Sequence, residues 1–178
     1  IKTYEMMMLQ DRTHKGLSMM TGQLYVMYAN AFVETPATFL PDTEYDKKNE
    51  GFSRARKLYL RGHDLLLNSL ELSVSGSKKA FNDSDEKAID EILKKFTIED
   101  IETLYWAGVA SLAVFAIEPL NTETSHLVYS GKAMLEKVCE LNDSFNDGAA
   151  WEILAKFYIG APESLGGGEE KAKDHSGE

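Results

Sequence analysis

The chain has 178 residues, of which 43% are hydrophobic and 27% charged, with only 4 prolines. This is ordinary composition for a packed protein, and the length suffices to bury one substantial core without a second domain. The formal net charge of -10 argues against non-specific nucleic-acid binding and against attraction to an anionic membrane surface, while a basic protein partner remains compatible.

Almost only helix is expected. Met6 to Arg12 reads as a weak opening helix. Leu17 to Thr35 reads as a helix ended near Pro36, because Tyr25, Tyr28 and Phe32 recur at i, i+3 and i+7. PATFLPDTEYDKKNEG then reads as a long polar connection with two prolines, long enough to carry a short turn or a functional contact. Phe52 to Ser73 is the next helix, with an apolar face through Ala55, Leu58, Tyr59, Leu65, Leu66, Leu70 and Leu72, broken by Ser75-Gly76-Ser77.

Asp83 with Glu86 is a candidate capping box before KAIDEILKKF, and Thr97 with Asp100 is another. The second precedes Leu104 to Ile117, LYWAGVASLAVFAI. That stretch is shorter than the roughly 20 residues that span a bilayer and reads as a central buried helix. Thr122 or Glu123 to Leu141 follows. It contains Cys139, whose apolar neighbours in LEKVCEL mark a buried, inert thiol. With one cysteine there is no intrachain disulfide. Asn142 to Asp147 reads as a turn, and Gly148 to Ile159 as a helix stopped by Gly160 and Pro162. Gly166-Gly167-Gly168 reads as a turn into a last helix, EEKAKDH.

Three of these helices can be laid over one another. Trp151-x2-Leu154-Ala155-x2-Tyr158 follows the first-helix pattern of a tetratricopeptide-type repeat, and Tyr25-x2-Tyr28-Ala29-x2-Phe32 has the same shape. Trp106-x2-Val109-Ala110-x2-Ala113 is a weaker third copy. The small residue lets a second helix approach and the large ones fill the gap. Ala133 and Ala172 then occupy matching second-helix positions, one 34-residue period apart plus about five inserted residues at PESLGGG. The expected fold is all-α, with stacked antiparallel helix pairs in a tetratricopeptide-like right-handed superhelix, one helical-repeat domain over 1–178. Such stacks usually bind rather than catalyse.

Catalytic and metal signatures are lacking in the sequence. Gly166 to Gly168 precedes a helix, but Glu169 and Glu170 place negative charge where a phosphate would sit. His14, His63, His126 and His175 are scattered, with no cysteine pair nearby. Arg61, His63 and Asp64 form one dense polar group, yet they follow one another along a helix and point in different directions. No enzyme activity, cofactor or metal is expected. Tyr25, Tyr28, Phe32, Tyr105, Trp106 and Trp151 read as core, with some lining a concave face. Asn30, a poor helix-interior residue, reads as one held by a partner group. Asn82-Asp83-Ser84 and Asn142-Asp143-Ser144 match the glycosylation sequon only weakly.

Four segments in order, YVMYANAFVETPATFLP, ARKLYLRGHDLLLNSLEL, LYWAGVASLAVFAI and APESLGGGEEKAKDH, resemble the TatT family. These are the T-component lipoproteins of tripartite ATP-independent periplasmic (TRAP) transporters, and the resemblance runs from about Leu24 to His175. It implies an all-helical, tetratricopeptide-like protein of the bacterial periplasm, tethered by a lipid on an N-terminal cysteine that Cys139 cannot be. It also implies a trimer and a substrate-binding P protein as partner. A pore or groove in each protomer would pass a small, hydrophobic or organic-acid ligand. Members of the family continue beyond the GGGEEKAK element, so a longer protein is implied. Tyr28, Asn30, Arg61, Tyr105 and Trp106 fall in the matching segments and are the groove candidates. The alternative reading is a generic tetratricopeptide-type scaffold that grips a peptide or helix of a partner protein.

Overall fold

Side chains that cap orphan backbone N–H groups decide where several helices begin. The computed structural model describes residues 1–11, 14–83, 85–119, 121–124 and 126–160, and among these every regular element is helical. The first is α1 (Lys2–Gln10). His14 Nδ1 then accepts the Leu17 N–H at 3.0 Å and opens α2 (Lys15–Ala29), two residues before the expected start.

Pro36 does not end this helix. A single π turn, Asn30–Glu34, follows α2 and runs into α3 (Thr35–Thr38). The π turn stretches the ladder so that the Thr35 N–H reaches the Asn30 carbonyl. Pro36 therefore falls in the first turn of α3, where a missing N–H costs little. The long polar connection expected after it is also mostly helix. A short 3-10 turn, Asp42–Glu44, leads directly into α4 (Tyr45–Ser73). The polar residues at 46–50 show no apolar stripe, and Gly51 does not break the helix. Gly51 instead lets α3 approach, since a Cβ there would lie 2.6 Å from that of Ala37.

Next come α5 (Ser77–Asn82) and α6 (Glu86–Leu93). The cap of α6 is Asp85, which accepts from Lys87 N (3.0 Å) and Ala88 N (3.3 Å), rather than the expected Asp83. Asp83 closes α5 instead. The Thr97–Asp100 capping box is present and opens the 3-10 turn Ile98–Asp100. That turn runs into α7 (Ile101–Ile117). Because helix starts at Ile98, the run to Ile117 is long and apolar enough to cross a membrane by length and composition, although most of it is buried within the protein. The chain then forms α8 (His126–Leu141), a left-handed turn at Asn146, Asp147 and Gly148, and α9 (Ala149–Gly160). The Gly166–Gly168 turn, the helix after it, and His175 lie outside the described residues.

Two helix pairs are built on one device. In α2/α4, Gly22 faces Gly62: a Cβ on Gly22 would lie 2.8 Å from the Gly62 carbonyl, and one on Gly62 2.9 Å from the Gly22 carbonyl. In α7/α8, Gly108 faces Gly131 in the same way, with a Cβ-to-carbonyl distance of 3.0 Å from Gly108. Leu66 covers the first crossing and Leu135, one turn after Gly131, covers the second. Backbones come this close only without side chains, so both crossings fall at glycines, while Ala29 and Ala110, the small residues of the tetratricopeptide register, are fully buried in the core. The helices pair antiparallel: Ser18 Oγ donates to the Leu65 carbonyl, and Ser69 Oγ to the Lys15 carbonyl. The α4/α7 contact is antiparallel too, since Arg56 near the start of α4 pairs with Glu118 at the end of α7 (2.9 Å), while Lys15 at the start of α2 pairs with Asp100 at the start of α7 (2.7 Å). The core runs through these layers, from Val26, Leu66 and Leu70 to Leu104, Met134 and Val138. Each such side chain contributes about 1.5–3 kcal/mol through burial.

Candidate functional site

Three helices distant in sequence wall a cavity of about 830 Å³. Each presents one face at helical spacing. The α2–π segment gives Met27, Asn30, Ala31 and Glu34; α7 gives Trp106, Val109, Ala113 and Ala116; α9 gives Ile153, Lys156, Phe157 and Gly160. Tyr59 reaches in from α4, and Tyr105 and Phe115 complete the aromatic part of the wall. Because α2 and α7 both pack antiparallel to α4, they run side by side and leave this trough between them.

Most of the lining is apolar, and its polar groups are few and convergent. The Tyr59 hydroxyl donates to Glu34 Oε2, and the Asn30 side chain hydrogen-bonds the same hydroxyl. Burial, reinforced by Glu34, pushes the Tyr59 phenol well above its ordinary range. Asn30 and Glu34, four residues apart, share one face of this segment and so reach the wall together. On the opposite side, Lys156 pairs with Glu152 at 2.6 Å on the exposed face of α9. Burial also raises Tyr105, opposed by a hydrogen bond with Asn146. Its ring meets Trp106 and Phe145 edge to face, at centroid distances of 5.2 and 5.6 Å.

Of the residues singled out from sequence, Asn30, Tyr105 and Trp106 come together in the cavity wall. Tyr28 and Arg61 do not line it. Tyr28 stacks on Phe32 at 5.5 Å on another face of the helix, where Phe32 is 70% exposed. The reading of both as core residues is therefore corrected: they are offset along the helix from the stripe of Tyr25 and Ala29 that faces α4. Arg61 pairs with Glu5 and lies 5.2 Å over the Tyr25 ring, while Tyr25 donates to Glu5 at 2.6 Å. This group fastens α1 to the α2/α4 pair and raises the Tyr25 phenol to about 12, first through burial and then through Glu5. Trp151 is half-buried beside α9's inner face.

The Arg61-His63-Asp64 group diverges as the helix dictates. His63 is buried, Asp64 reaches Lys78 at the surface, and Arg61 goes to α1. Cys139 is buried, and burial pushes its thiol up to about 11. No group of His, Cys, Asp and Glu among the described residues is placed to hold a metal. Sequence reasoning missed Glu34, Tyr59, Val109, Ala113, Ile153 and Phe157 as wall residues. The repeated small–large spacing on α7 and α9 was the available signal, but it was assigned to core.

A family model described as TRAP transporter T-component matches residues 1–178. This chain belongs to that family. The same match bears out the resemblance to the T components of TRAP transporters. A relative from Treponema pallidum (strain Nichols), an uncharacterized protein, is 47% identical over 172 residues. The alignment covers 97% of this chain and 53% of the relative, so the T component described here spans about half the length of that protein.

Proposed function

We propose that this T component is a single helical-repeat domain of a non-enzymatic, periplasmic accessory protein, and that it binds a small, mostly apolar ligand in the cavity between α2, α7 and α9. In the full-length form it is tethered to the membrane by a lipid, assembles as a trimer and receives or hands over its ligand at a substrate-binding P protein. The observation that carries this reading is the cavity itself. Its 830 Å³ matches the volume of a small-molecule site, and aromatic and aliphatic side chains from three helices converge on it. Tyr105, Trp106 and Asn30 act there as wall residues. Tyr28 and Arg61 act outside it, on faces available to neighbouring chains.

A peptide-gripping tetratricopeptide scaffold is the weaker reading. Holding an extended backbone takes polar side chains spaced along a groove, whereas Asn30, Glu34 and Tyr59 are gathered in one corner. Native mass spectrometry of the full-length protein, alone and mixed with the P protein of its transporter, tests the assignment. Trimers that take up the P protein at micromolar concentration are expected. Monomers that ignore it would remove the transport assembly from this reading.

A further inference from the structure

The Glu34 corner differs chemically from the rest of the cavity. Glu34 is half-buried in a mostly apolar wall, and one of its oxygens takes the Tyr59 hydroxyl. Among the described residues, no lysine, arginine or histidine forms an ion pair with it. Tyr59, in turn, spends its proton on Glu34 and has none to offer a ligand. This corner therefore carries a negative charge with no ion-pair partner among the described residues, and Lys156, which also lines the cavity, is paired with Glu152. A carboxylate brought there would meet like charge in a poorly solvated place, whereas an ammonium group would neutralise Glu34 and donate to its free oxygen.

We propose that the Glu34 corner is an ammonium subsite: the carboxylate of Glu34, oriented by the Tyr59 hydroxyl, receives the cationic amine of a ligand whose apolar part lies against Trp106, Val109, Ala113 and Phe157. The inference rests on the cavity being a ligand site and goes further by fixing the ligand's charge at one end. It makes the preferred ligand an apolar amine, or an apolar amino acid, rather than a simple monocarboxylic acid. Glu34 is the residue that chooses.

The test is calorimetric titration of the purified protein at pH 7 with three probes of one shape: phenylpropylamine, phenylpropanol and phenylpropanoate. The amine is expected to bind roughly tenfold more tightly than the alcohol, with the carboxylate weakest. Glu34→Gln keeps an acceptor for Tyr59 and removes the charge. It is expected to bring the amine down to the level of the alcohol and leave the alcohol unchanged. A carboxylate that binds as well as the amine overturns the proposal, and so does an amine preference that survives Glu34→Gln. Alcohol binding with no amine preference removes this subsite alone. If none of the three binds, the cavity fails as a ligand site and the subsite fails with it.

Discussion

The α2/α4 and α7/α8 pairs share a packing device and differ in what surrounds it. Both cross glycine on glycine, with a leucine one turn further along closing the gap. Beyond the crossing they diverge. α7 continues as a regular helix and presents Trp106, Val109 and Ala113 to the cavity. α2 passes into a π turn, within which Asn30 and Glu34 face the same cavity. The residues after the second glycine of each pair differ as well: His63 is buried, with no hydrogen-bond partner for Nε2 among the described residues, whereas Lys132 pairs with Glu136 at 3.7 Å. A common scaffold thus fixes the spacing of two helices, and the Asn30, Glu34 and Tyr59 corner of the cavity comes from the α2/α4 pair alone.

The largest effect should come from breaking the shared device. Gly62→Val places branched carbons against the Gly22 carbonyl, which cannot move without parting the helices. A loss of about 3 kcal/mol is expected from such overpacking. Gly131→Val, which faces Ser111 Cβ at 2.6 Å and the Gly108 carbonyl at 3.2 Å, should cost about as much if the two crossings are equivalent. Urea unfolding of both variants measures this. A large loss in one and none in the other would end the equivalence.

The buried histidine should separate the pairs by pH. Burial, the dominant cause, lowers His63 to about 4, with Asp64 opposing and His126 and Lys78 reinforcing. In the unfolded chain the imidazole titrates near its ordinary 6.5. Between those values the unfolded state binds more protons, so stability is full above pH about 6.5 and falls as pH drops toward 4. Between pH 7 and 5 the loss from this group should be about 2 kcal/mol. His63→Leu should flatten that part of the profile in denaturant titrations at the two pH values. An unchanged slope would show that His63 is not the group responsible.

Tyr59→Phe sharpens the comparison on the cavity side. It removes the hydroxyl that orients Glu34 and should cost about 1 kcal/mol of stability by thermal unfolding. The effect is small because Glu34 is only half-buried and can turn to water. A cost several times larger would mean that Glu34 serves the fold more than a ligand.

Much of this architecture was legible in the residues. The all-helical class, the Thr97–Asp100 cap, the buried α7, the turn after Leu141 and the inert Cys139 all follow from local pattern and match the observed elements. What failed did so for identifiable reasons. The polar residues 46–50 form a solvated end of α4 and carry no periodic signal. Pro36 read as a stop because a π turn leaves no mark in hydropathy. The repeat register followed aromatic residues and did not mark the glycines at which the helix pairs cross. The cavity lay furthest from view, because Tyr59, Trp106 and Phe157 meet only after three helices pack. Each, taken alone, is an ordinary apolar position on a helix.

The most direct test of the central claim is binding of the neutral apolar fluorophore N-phenylnaphthylamine to the wild-type protein and to Ala113→Trp. That substitution fills the middle of the cavity from the α7 wall. The account predicts saturable binding to the wild type, at least tenfold weaker binding to Ala113→Trp, and similar unfolding curves for the two proteins. Equal binding by both proteins, or none by the wild type, would contradict it.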